Sequence, residues 1–328
     1  MSDTTQEGGI SRFRIGIVGH GFVGQAVEYA FNHPLVDFNY YDPKYETSLD
    51  TLGDFSADRH PRCFFICAPT PSNDDGSVNS SIVESAVMEC LTQTDALVVV
   101  KSTITPESID SLYAGMSREQ TNRFVYNPEF LTEKNAKSDF VNAKFHVIGG
   151  MPNPAQELID IYEIFGGCQS DDYHRMTAYE ASFVKYAINS FLSTKITFFN
   201  QLYDLVNLYG CNFNSIVRAV GKDDRIGMGH TRVPGFDGKR GFGGACLPKD
   251  TRAFLDFSTH EFADGTMTSF DLLEKVLDIN SAYRVQYDLD ERERINNITF
   301  VDFGGKNEHN GQTKEELEDK GNSDTIDE

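Results

Sequence analysis

Apolar runs separated by polar, glycine-containing turns define the first half of the chain. The stretch FRIGIVGHGFVGQAVEYAF at 13–31 begins as an apolar strand, makes a tight glycine turn and continues with the apolar spacing of a helix. Further strands are predicted at 38–43, 63–71, 96–103, 123–130 and 145–150. The run at 96–103 is continuous in β-branched residues, as in a strand buried on both faces. Strands that alternate with helical stretches predict a Rossmann-type, doubly wound parallel α/β sheet.

The pattern changes at about residue 176, where helical spacing takes over. Residues 177–210 form one long stretch with Phe, Tyr and Leu on most faces. Such a stretch predicts a buried central helix that packs against a partner chain. Shorter helices are predicted at 212–221 and 268–287, with a glycine-rich loop at 222–248 between them. An all-α domain with a long central helix therefore follows the sheet.

The motif GHGFVG lies between the first strand and the first helix. Gly19 permits a tight turn, Gly21 lets the backbone approach a pyrophosphate, and Gly24 lets helix and strand pack closely. Asp42 ends the next predicted strand, where a carboxylate can accept a hydrogen bond from a ribose hydroxyl, and Lys44 follows it. The alternative is a glycine turn with no ligand. Strand, helix and acid together favour a dinucleotide, NAD rather than NADP.

These patterns divide the chain into four segments. They are a flexible N-terminus at 1–12, a dinucleotide-binding domain at 13–175, a helical dimerisation and substrate domain at 176–296, and a final segment at 297–328. The final segment is expected to hold a remnant strand, ITFVDFGG, and an acidic tail that is too poor in apolar residues to order.

Composition and charge narrow the classes of protein. With 328 residues, of which 39% are hydrophobic, the chain is long enough for about two domains with hydrophobic cores. Its net charge of −21 argues against nucleic acids and anionic membranes as partners. No apolar run of ~18 residues and no signal-type N-terminus is present, so we expect a cytoplasmic protein outside the membrane.

The six cysteines give no sign of a metal centre. None forms a CxxC pair or stands near histidines at zinc-finger spacing. Cys63 and Cys67 lie inside an apolar strand, which argues against a disulfide scaffold. We therefore predict no metal site.

Polar side chains follow three of the predicted strands. Thr70, Ser102 and Thr103 offer hydroxyls at strand ends, where open α/β sheets bind ligands. Glu129 and Glu133 follow the next strand and are four residues apart, so they could share one face of a helical turn and serve acid–base chemistry. The alternatives are ordinary loop capping for the hydroxyls and a solvated helix start for the glutamates. On spacing alone, the solvated start is favoured for the glutamates.

Lys185 and Asn189 lie four residues apart on the long helix, among apolar neighbours. Buried polar groups are costly unless they are paired, so these two need partners or a function. The alternative is that Lys185 extends along the helix to the surface.

The stretch RGFGGACLPKD at 240–250 frames a thiol with glycines. Pro248 can begin a helix, so Cys246 would lie at the positive end of that helix, near Lys249, where a thiolate is favoured. Asp250 lies one turn on and could handle a proton. A buried, inert cysteine is the usual alternative. The glycines, which allow a bulky ligand to approach, favour a nucleophile at Cys246.

Several of these stretches together resemble one known family. GHGFVG, APTP, KSTITP, NPEFLTEKNA, EASFVKYAINSFLSTK, RIG and GFGGACLPKD occur in this order between residue 13 and about residue 285. They resemble the UDP-glucose/GDP-mannose dehydrogenases, nucleotide-sugar dehydrogenases that oxidise a sugar alcohol to a carboxylate. The resemblance is nearest to the members that act on UDP-glucose.

The resemblance implies a role for each matching residue. NAD would be held by Gly19, Gly21, Gly24, Asp42, Lys44, Thr70, Thr103 and Lys249. Cys246 would be the covalent nucleophile, Lys185 and Asn189 would stabilise the charged oxygen, Asp250 would activate water, and Glu133 would assist hydrolysis. Substrate would be bound by Glu129, Arg225, Gly241, Gly243 and Gly244. Arg225 would reach the substrate of a neighbouring subunit in a homodimer built on the long helix.

The implied function is NAD-dependent oxidation of a nucleotide sugar at C6 to the uronic acid, with UDP-glucose as the favoured substrate. Two hydride transfers would pass through a thiohemiacetal and a thioester of Cys246. The family has a third domain that helps to bind the nucleotide, and here we expect only the remnant strand in its place. Lys239 and Arg240 could bind diphosphate and partly offset the loss, and the alternative is a solvated basic loop. The alternatives are an inactive, NAD-binding dimeric regulator or scaffold, and a single-oxidation dehydrogenase of the β-hydroxyacid type, which would have no need of Cys246.

Overall fold

A computed structural model describes residues 12–45, 60–73, 75–261 and 267–301. A seven-stranded sheet forms the N-terminal part of these residues. The strands β1 to β7 are Phe13–Val18, Val36–Tyr41, Cys63–Ile66, Leu97–Val100, Phe124–Tyr126, His146–Gly150 and Tyr173–Met176.

The spatial order of the strands is β2-β1-β3-β4-β5-β6-β7, so successive connections run in opposite directions from β1. This order is that of a doubly wound sheet and confirms the predicted fold class. The order reverses between β1 and β3, and a doubly wound sheet opens a crevice at the carboxyl ends of its strands at such a point.

Six helices flank the sheet. The helices α1 to α6 are Phe22–Ala30, Ser81–Gln93, Pro106–Gly115, Arg118–Thr121, Ala136–Val141 and Pro152–Phe165. Apolar side chains on the two faces of the sheet form separate cores, one around Val98 and Ile109 and the other around Val99 and Ile159. The alternation of Val98 and Val99 between the cores follows from the period of a strand, and it explains why 96–103 reads as apolar throughout.

The second part consists mainly of helices. The helices α7 to α11 are Ala178–Leu208, Phe213–Val220, Leu247–Ser258, Asp271–Arg284 and Glu291–Ile295. One correction to the predicted all-α domain is a short antiparallel pair, β8 at His260–Glu261 and β9 at Met267–Thr268. Thr177 begins α7 with a capping box, because its hydroxyl accepts from the backbone N–H of Glu180 and the Glu180 carboxylate accepts from the N–H of Thr177.

The sequence predicted a parallel sheet, and this is wrong for one pair of strands. β5 and β6 pair antiparallel, whereas the other neighbouring strands pair parallel. The edge strand β7 was also not predicted, because its residues Tyr173–Met176 carry no continuous apolar run. At Gly149 in β6 an added Cβ would lie 2.6 Å from the Cβ of Ala181, so this glycine lets α7 pack directly on the sheet.

The long helix α7 buries different side chains from those that its sequence predicts. Its buried positions are largely small or polar, and they include Ser182, Lys185, Asn189, Ser190, Ser193, Thr197 and Asn200. Several of its large apolar side chains are exposed, namely Phe183, Phe191, Phe198, Leu205 and Leu208. The buried stripe faces the loops of the sheet and α9, so α7 contributes polar groups inward and an apolar face outward.

The predicted remnant strand is not found where the structure describes that segment. Residues 298–301 form no strand, and the rest of ITFVDFGG together with the acidic tail lies outside the described residues. Most of the N-terminal segment 1–12 also lies outside them. In the described part, the residues after α10 instead fold back onto the loop 237–244 through α11.

Candidate functional site

The glycine turn at the end of β1 has the geometry of a dinucleotide cradle. Gly19 has φ of +85°, and an added Cβ would lie 2.7 Å from the carbonyl oxygen of Cys67. A Cβ on Gly24 would lie 2.3 Å from the carbonyl oxygen of Gly19, so the first turn of α1 must stay bare. At Gly21, which caps α1, a Cβ would meet nothing within 4 Å. The turn therefore has no room for a side chain at Gly19 or Gly24, and it has open space at Gly21, where a ligand would approach.

Asp42 is fixed beside this turn by backbone donors. Its Oδ2 accepts from the backbone N–H of His20 at 2.7 Å, and its Oδ1 accepts from the N–H of Lys44 at 2.8 Å. A carboxylate at the end of this strand is the group that binds a ribose hydroxyl in a doubly wound dinucleotide site. These residues therefore fit NAD. Lys44 contributes its backbone N–H to this arrangement, as a donor to Asp42.

A network that the sequence did not indicate braces the same turn. His20 Nε2 lies 2.7 Å from Glu28 Oε2, and the Tyr40 hydroxyl donates to Glu28 Oε1 at 2.5 Å. Because these residues come from the glycine turn, α1 and β2, they tie together the three elements of the cradle. A histidine within GHGFVG was the one signal that could have found it.

Lys185 is buried against the loop that follows β5. Its Nζ donates to the backbone carbonyl of Glu129 at 2.5 Å and lies 3.2 Å from Glu129 Oε1. Burial acts to lower the pKa of Lys185, but the negative charges of Glu129 and Asp250 and the hydrogen bond to Glu129 outweigh it, so the pKa is raised. The lysine does not extend to the surface, and it is charged at neutral pH.

Asn189 and Asp250 form the other half of the cluster. Asn189 Nδ2 donates to Asp250 Oδ2 at 2.6 Å, and Lys249 Nζ donates to Asp250 Oδ1 at 2.6 Å. Lys249 Nζ also lies 3.4 Å from Thr70 Oγ1, which links the cluster to the loop after β3. Asp250 is almost fully buried, and both of its oxygens are satisfied by these donors.

A hydroxyl pair that the sequence did not indicate locks α7 to α9. The hydroxyls of Ser193 and Thr251 lie 2.7 Å apart, and both residues are fully buried. Ser193 is one turn beyond Asn189, and Thr251 is next to Asp250. The pair therefore fixes the distance across which Asn189 and Asp250 meet.

Cys246 is the N-cap residue of α9, one turn from Asp250. Burial raises the pKa of the Cys246 thiol to about 11, with Asp250 and Glu129 acting in the same direction and Lys185 and Lys249 opposing. The expectation that the helix end and Lys249 would favour thiolate is therefore wrong for the chain without ligands. A local dipole is outweighed by desolvation and by two carboxylates from distant parts of the sequence.

The glycines before Cys246 correct a second expectation. A Cβ on Gly241 would lie 2.4 Å from Asn280 Oδ1, and a Cβ on Gly243 would lie 2.1 Å from an Arg284 guanidinium nitrogen. These two glycines thus admit the chain's own side chains. Gly244, with φ of +79°, has nothing within 4 Å of its Cβ position and remains open.

Two buried side chains hold this loop from below. Asn280 accepts from the N–H of Phe242 at 2.7 Å and donates to its carbonyl at 2.9 Å. Glu293 accepts from the N–H of Gly244 at 3.0 Å and from Arg284 at 2.5 Å. Their backbone partners in the loop lie 38 and 49 residues away in the chain, which is why sequence spacing did not reveal them.

Lys239 and Arg240 are engaged within the protein. Lys239 Nζ donates to the carbonyl of Asp288 at 2.5 Å. The Arg240 guanidinium bonds Asn200 and Asp204 and lies over the rings of two tyrosines, Tyr203 and Tyr283. These contacts attach the loop to α7 and α10, which contradicts the prediction of a basic loop kept for diphosphate.

The remaining predicted residues lie at the edge of the cluster or away from it. Thr103 is buried, and the Ser102 hydroxyl donates to the carbonyl of Ala68 at 2.7 Å, as in ordinary loop capping. Glu133 lies 2.9 Å from Arg292 and is partly exposed. Arg225 is exposed and pairs with Asp223 at 2.6 Å.

No group of three or more His, Cys, Asp or Glu side chains in the described ranges could hold a metal ion. No described helix is both long and apolar enough to cross a membrane.

Two models of one family match the chain. The NAD binding domain of the UDP-glucose/GDP-mannose dehydrogenase family matches residues 45–166, and the central domain of that family matches residues 179–282. Together they cover more than half of the chain, and the first identifies NAD as the cofactor.

Curated relatives agree with this match. The chain is 35% identical over 203 residues to a UDP-glucose 6-dehydrogenase of Rickettsia conorii. The aligned region covers 61% of this chain and 45% of that protein. It is 30% identical over 224 residues to a UDP-glucose 6-dehydrogenase of Bacillus subtilis, which covers 66% and 48%. The chain spans about half the length of the curated relatives it matches.

Solved structures share the fold. A UDP-glucose dehydrogenase from the archaeon Pyrobaculum islandicum matches with a TM-score of 0.67 and 28% identity over 85% of this chain and 71% of that chain. A GDP-mannose dehydrogenase from Pseudomonas aeruginosa, solved as a ternary complex, matches with a TM-score of 0.55 and 22% identity over 83% and 69%.

The raised pKa of Cys246 predicts how this thiol reacts with iodoacetamide. Because only thiolate reacts, the rate at Cys246 should rise ~tenfold per pH unit between about pH 7 and about pH 9. Lys185→Met should slow the reaction at fixed pH by removing a cation that favours thiolate. Lys275→Met, which removes an exposed lysine on α10, should not. Peptide mass spectrometry reports Cys246 separately from the other cysteines. A rate at Cys246 that does not change with pH would contradict a thiol that is protonated at neutral pH.

Proposed function

Because the chain belongs to the UDP-glucose/GDP-mannose dehydrogenase family, we propose that it oxidises a nucleotide sugar at C6 to the uronic acid, with UDP-glucose as the substrate. One observation carries the proposal. Cys246 caps the helix whose first turn carries Asp250, and Asp250 accepts from both Asn189 and Lys249. Lys185 lies close enough to Cys246 to lower the pKa of its thiol. A nucleophile, two donors for an oxyanion and a carboxylate thus meet at one place.

NAD, when bound, accepts a hydride in each of two successive oxidations. In the first, the C6 alcohol gives a hydride to NAD⁺ and a proton to a base or to water, and becomes an aldehyde. Lys185 is charged and Asn189 is an amide donor, so both can stabilise negative charge on the C6 oxygen. Donors of this kind contribute about 3 kcal/mol each when they point at the developing charge.

Cys246 retains the aldehyde between the two oxidations. Its sulfur adds to C6 to form a thiohemiacetal, and loss of the second hydride converts this to a thioester. The thiol proton must leave before attack, and the raised pKa of Cys246 means that the free chain holds that proton at neutral pH. Asp250, one turn along α9, is positioned to accept it.

Water then releases the acid and regenerates the thiol. Asp250 is held by Asn189 and Lys249 and would polarise the attacking water. Glu133 would assist in this step once it leaves Arg292, its partner in the described structure. Gly244 offers an open position beside Cys246, and we assign it, together with Glu129 and Arg225, to binding the sugar nucleotide.

Product stoichiometry tests the proposal directly. With NAD⁺ and UDP-glucose, the protein should form about two NADH per sugar consumed, since the aldehyde remains on Cys246 between oxidations. Cys246→Ser should lose acid formation by several orders of magnitude while it still binds NAD, and the exposed Cys211→Ser should be unaffected.

The other outcomes identify the alternatives. About one NADH per sugar would indicate a single-oxidation dehydrogenase, and none, with NAD still bound, would indicate an inactive regulator or scaffold. Acid formation by Cys246→Ser at the parent rate would show that Cys246 is not the nucleophile.

We also propose that the chain forms a homodimer through α7. Phe191, Phe198 and Leu205 recur every seven residues, so they form one exposed apolar stripe along the helix. Contiguous exposed apolar surface of this kind marks interaction sites. A second copy would cover the stripe, and Arg225, exposed near the α7–α8 part of the chain, could then reach a neighbouring site.

Charge in this stripe should separate the copies. Phe198→Glu is expected to yield a monomer in sedimentation velocity, because a buried, unpaired carboxylate opposes association. Ile164→Glu, an equally exposed apolar position on α6, should leave the dimer intact. A parent protein that sediments as a monomer, or a Phe198→Glu variant that remains dimeric, would contradict the proposal.

A further inference from the structure

A second buried lysine lies beneath the loop that carries Glu129. Lys101 follows β4, and only 3% of its surface is exposed. Its Nζ donates to Asn127 Oδ1 at 3.0 Å and lies 3.5 Å from the hydroxyl of Tyr162, which itself donates to Asn127 Oδ1 at 2.9 Å. No carboxylate in the described residues forms an ion pair with this amine.

Burying this amine without an ion pair is costly. Burial lowers the pKa of Lys101 to about 8, and the ring of Phe140, 4.9 Å from Nζ, gives only partial compensation. The charged and titratable groups that surround it come from several elements and are Cys67, Glu129, His146, Tyr162, Cys168 and Lys185. At neutral pH the chain therefore keeps a buried cation that burial disfavours.

Two successive contacts connect Lys101 to the proposed oxyanion site. Asn127 is clamped, because its side chain accepts from Lys101 and donates to the carbonyl of Val147 at 2.7 Å. Two residues later, the backbone carbonyl and Oε1 of Glu129 receive Lys185. The position of the turn 127–129 thus sets the position of Lys185 Nζ.

We propose that Lys101 is a positioning residue for Lys185. Its amine holds Asn127, so the turn 127–129 presents Glu129 to Lys185 in one place beside Cys246. This inference rests on the proposed function. It assigns Lys101 to the chemistry through Asn127 and Glu129, without contact with the substrate.

Stability and activity should respond in opposite directions if this is correct. In Lys101→Met, Asn127 Oδ1 still accepts from Tyr162, so no buried acceptor is left without a partner. The substitution removes an uncompensated buried charge, and replacing such a charge with an apolar group of similar size is often neutral or stabilising. A residue kept only for packing would show the reverse.

The pH dependence of unfolding tests the buried charge. The pKa of Lys101 is about 8 in the folded chain and ~10.4 when unfolded, so the charge costs stability fully below about pH 8. That cost disappears as the pH rises toward ~10.4. Lys101→Met should therefore unfold at a higher temperature than the parent near neutral pH, and the difference should shrink between these two pH values.

Kinetics test the positioning. Lys101→Met should lower kcat about 10- to 100-fold, with KM for NAD unchanged, because a displaced donor is felt mainly at the reacting oxygen. Lys101→Arg keeps a donor and a charge, so it should be more active than Lys101→Met although less stable. Lys144→Met removes an exposed lysine and should change neither property.

A readout that does not need turnover separates this inference from the proposed function. If Lys101 holds Lys185 near Cys246, Lys101→Met should slow iodoacetamide labelling of Cys246 severalfold at fixed pH. A slower reaction in a chain that makes no NADH would refute the function and support the positioning. Should Lys101→Met not fold, Tyr162→Phe removes the other donor to Asn127 and should give a smaller loss in the same two assays. Parent values of kcat and labelling in Lys101→Met, or parallel losses of stability and activity in the Met and Arg variants, would overturn the inference.

Discussion

Charges buried at the carboxyl end of the sheet impose the main constraint on this structure. Lys185 meets Glu129, and Lys249 and Asn189 meet Asp250, all away from water. A buried charge that loses its partner costs about 3–5 kcal/mol. The loop after β5, the helix α7 and the start of α9 are therefore held in one arrangement, which also presents Cys246.

The same constraint explains the composition of the long helix. A helix that carries Lys185 and Asn189 inward must surround them with residues that can bond or leave room, and Ser193 and its neighbours on that stripe do so. The aromatic side chains are then displaced to the opposite face, as Phe198 illustrates. The apolar surface that would normally build a core is therefore exposed on this helix.

What the sequence could predict was mostly local. The glycine turn, its acid and the i, i+4 pair of Lys185 and Asn189 depend on neighbouring residues, and the structure places them as the patterns indicate. The six-strand alternation also followed from local apolar runs, but the short, partly exposed β7 carried no such run and was missed.

The errors arose where one sequence pattern allows two environments. Glycines before Cys246 can admit a ligand or the chain's own side chains, and Arg284 and Glu293, which decide this at Gly243, are distant in sequence. The state of the thiol likewise depends on burial and on Glu129, whereas a helix end alone favours thiolate. Lys101 could not be predicted from the sequence, because only its tertiary contacts to Asn127 and Tyr162 distinguish it from an ordinary strand-end lysine.

We propose above that this cluster makes Cys246 a covalent carrier of the sugar. Rapid quenching of the protein during turnover with NAD⁺ and UDP-glucose, followed by peptide mass spectrometry, tests it most directly. We expect a sugar-nucleotide adduct on the peptide that contains Cys246. This adduct should form and decay at rates consistent with turnover. Release of UDP-glucuronate while Cys246 carries no sugar at any time point, or an adduct on a different residue, would contradict it.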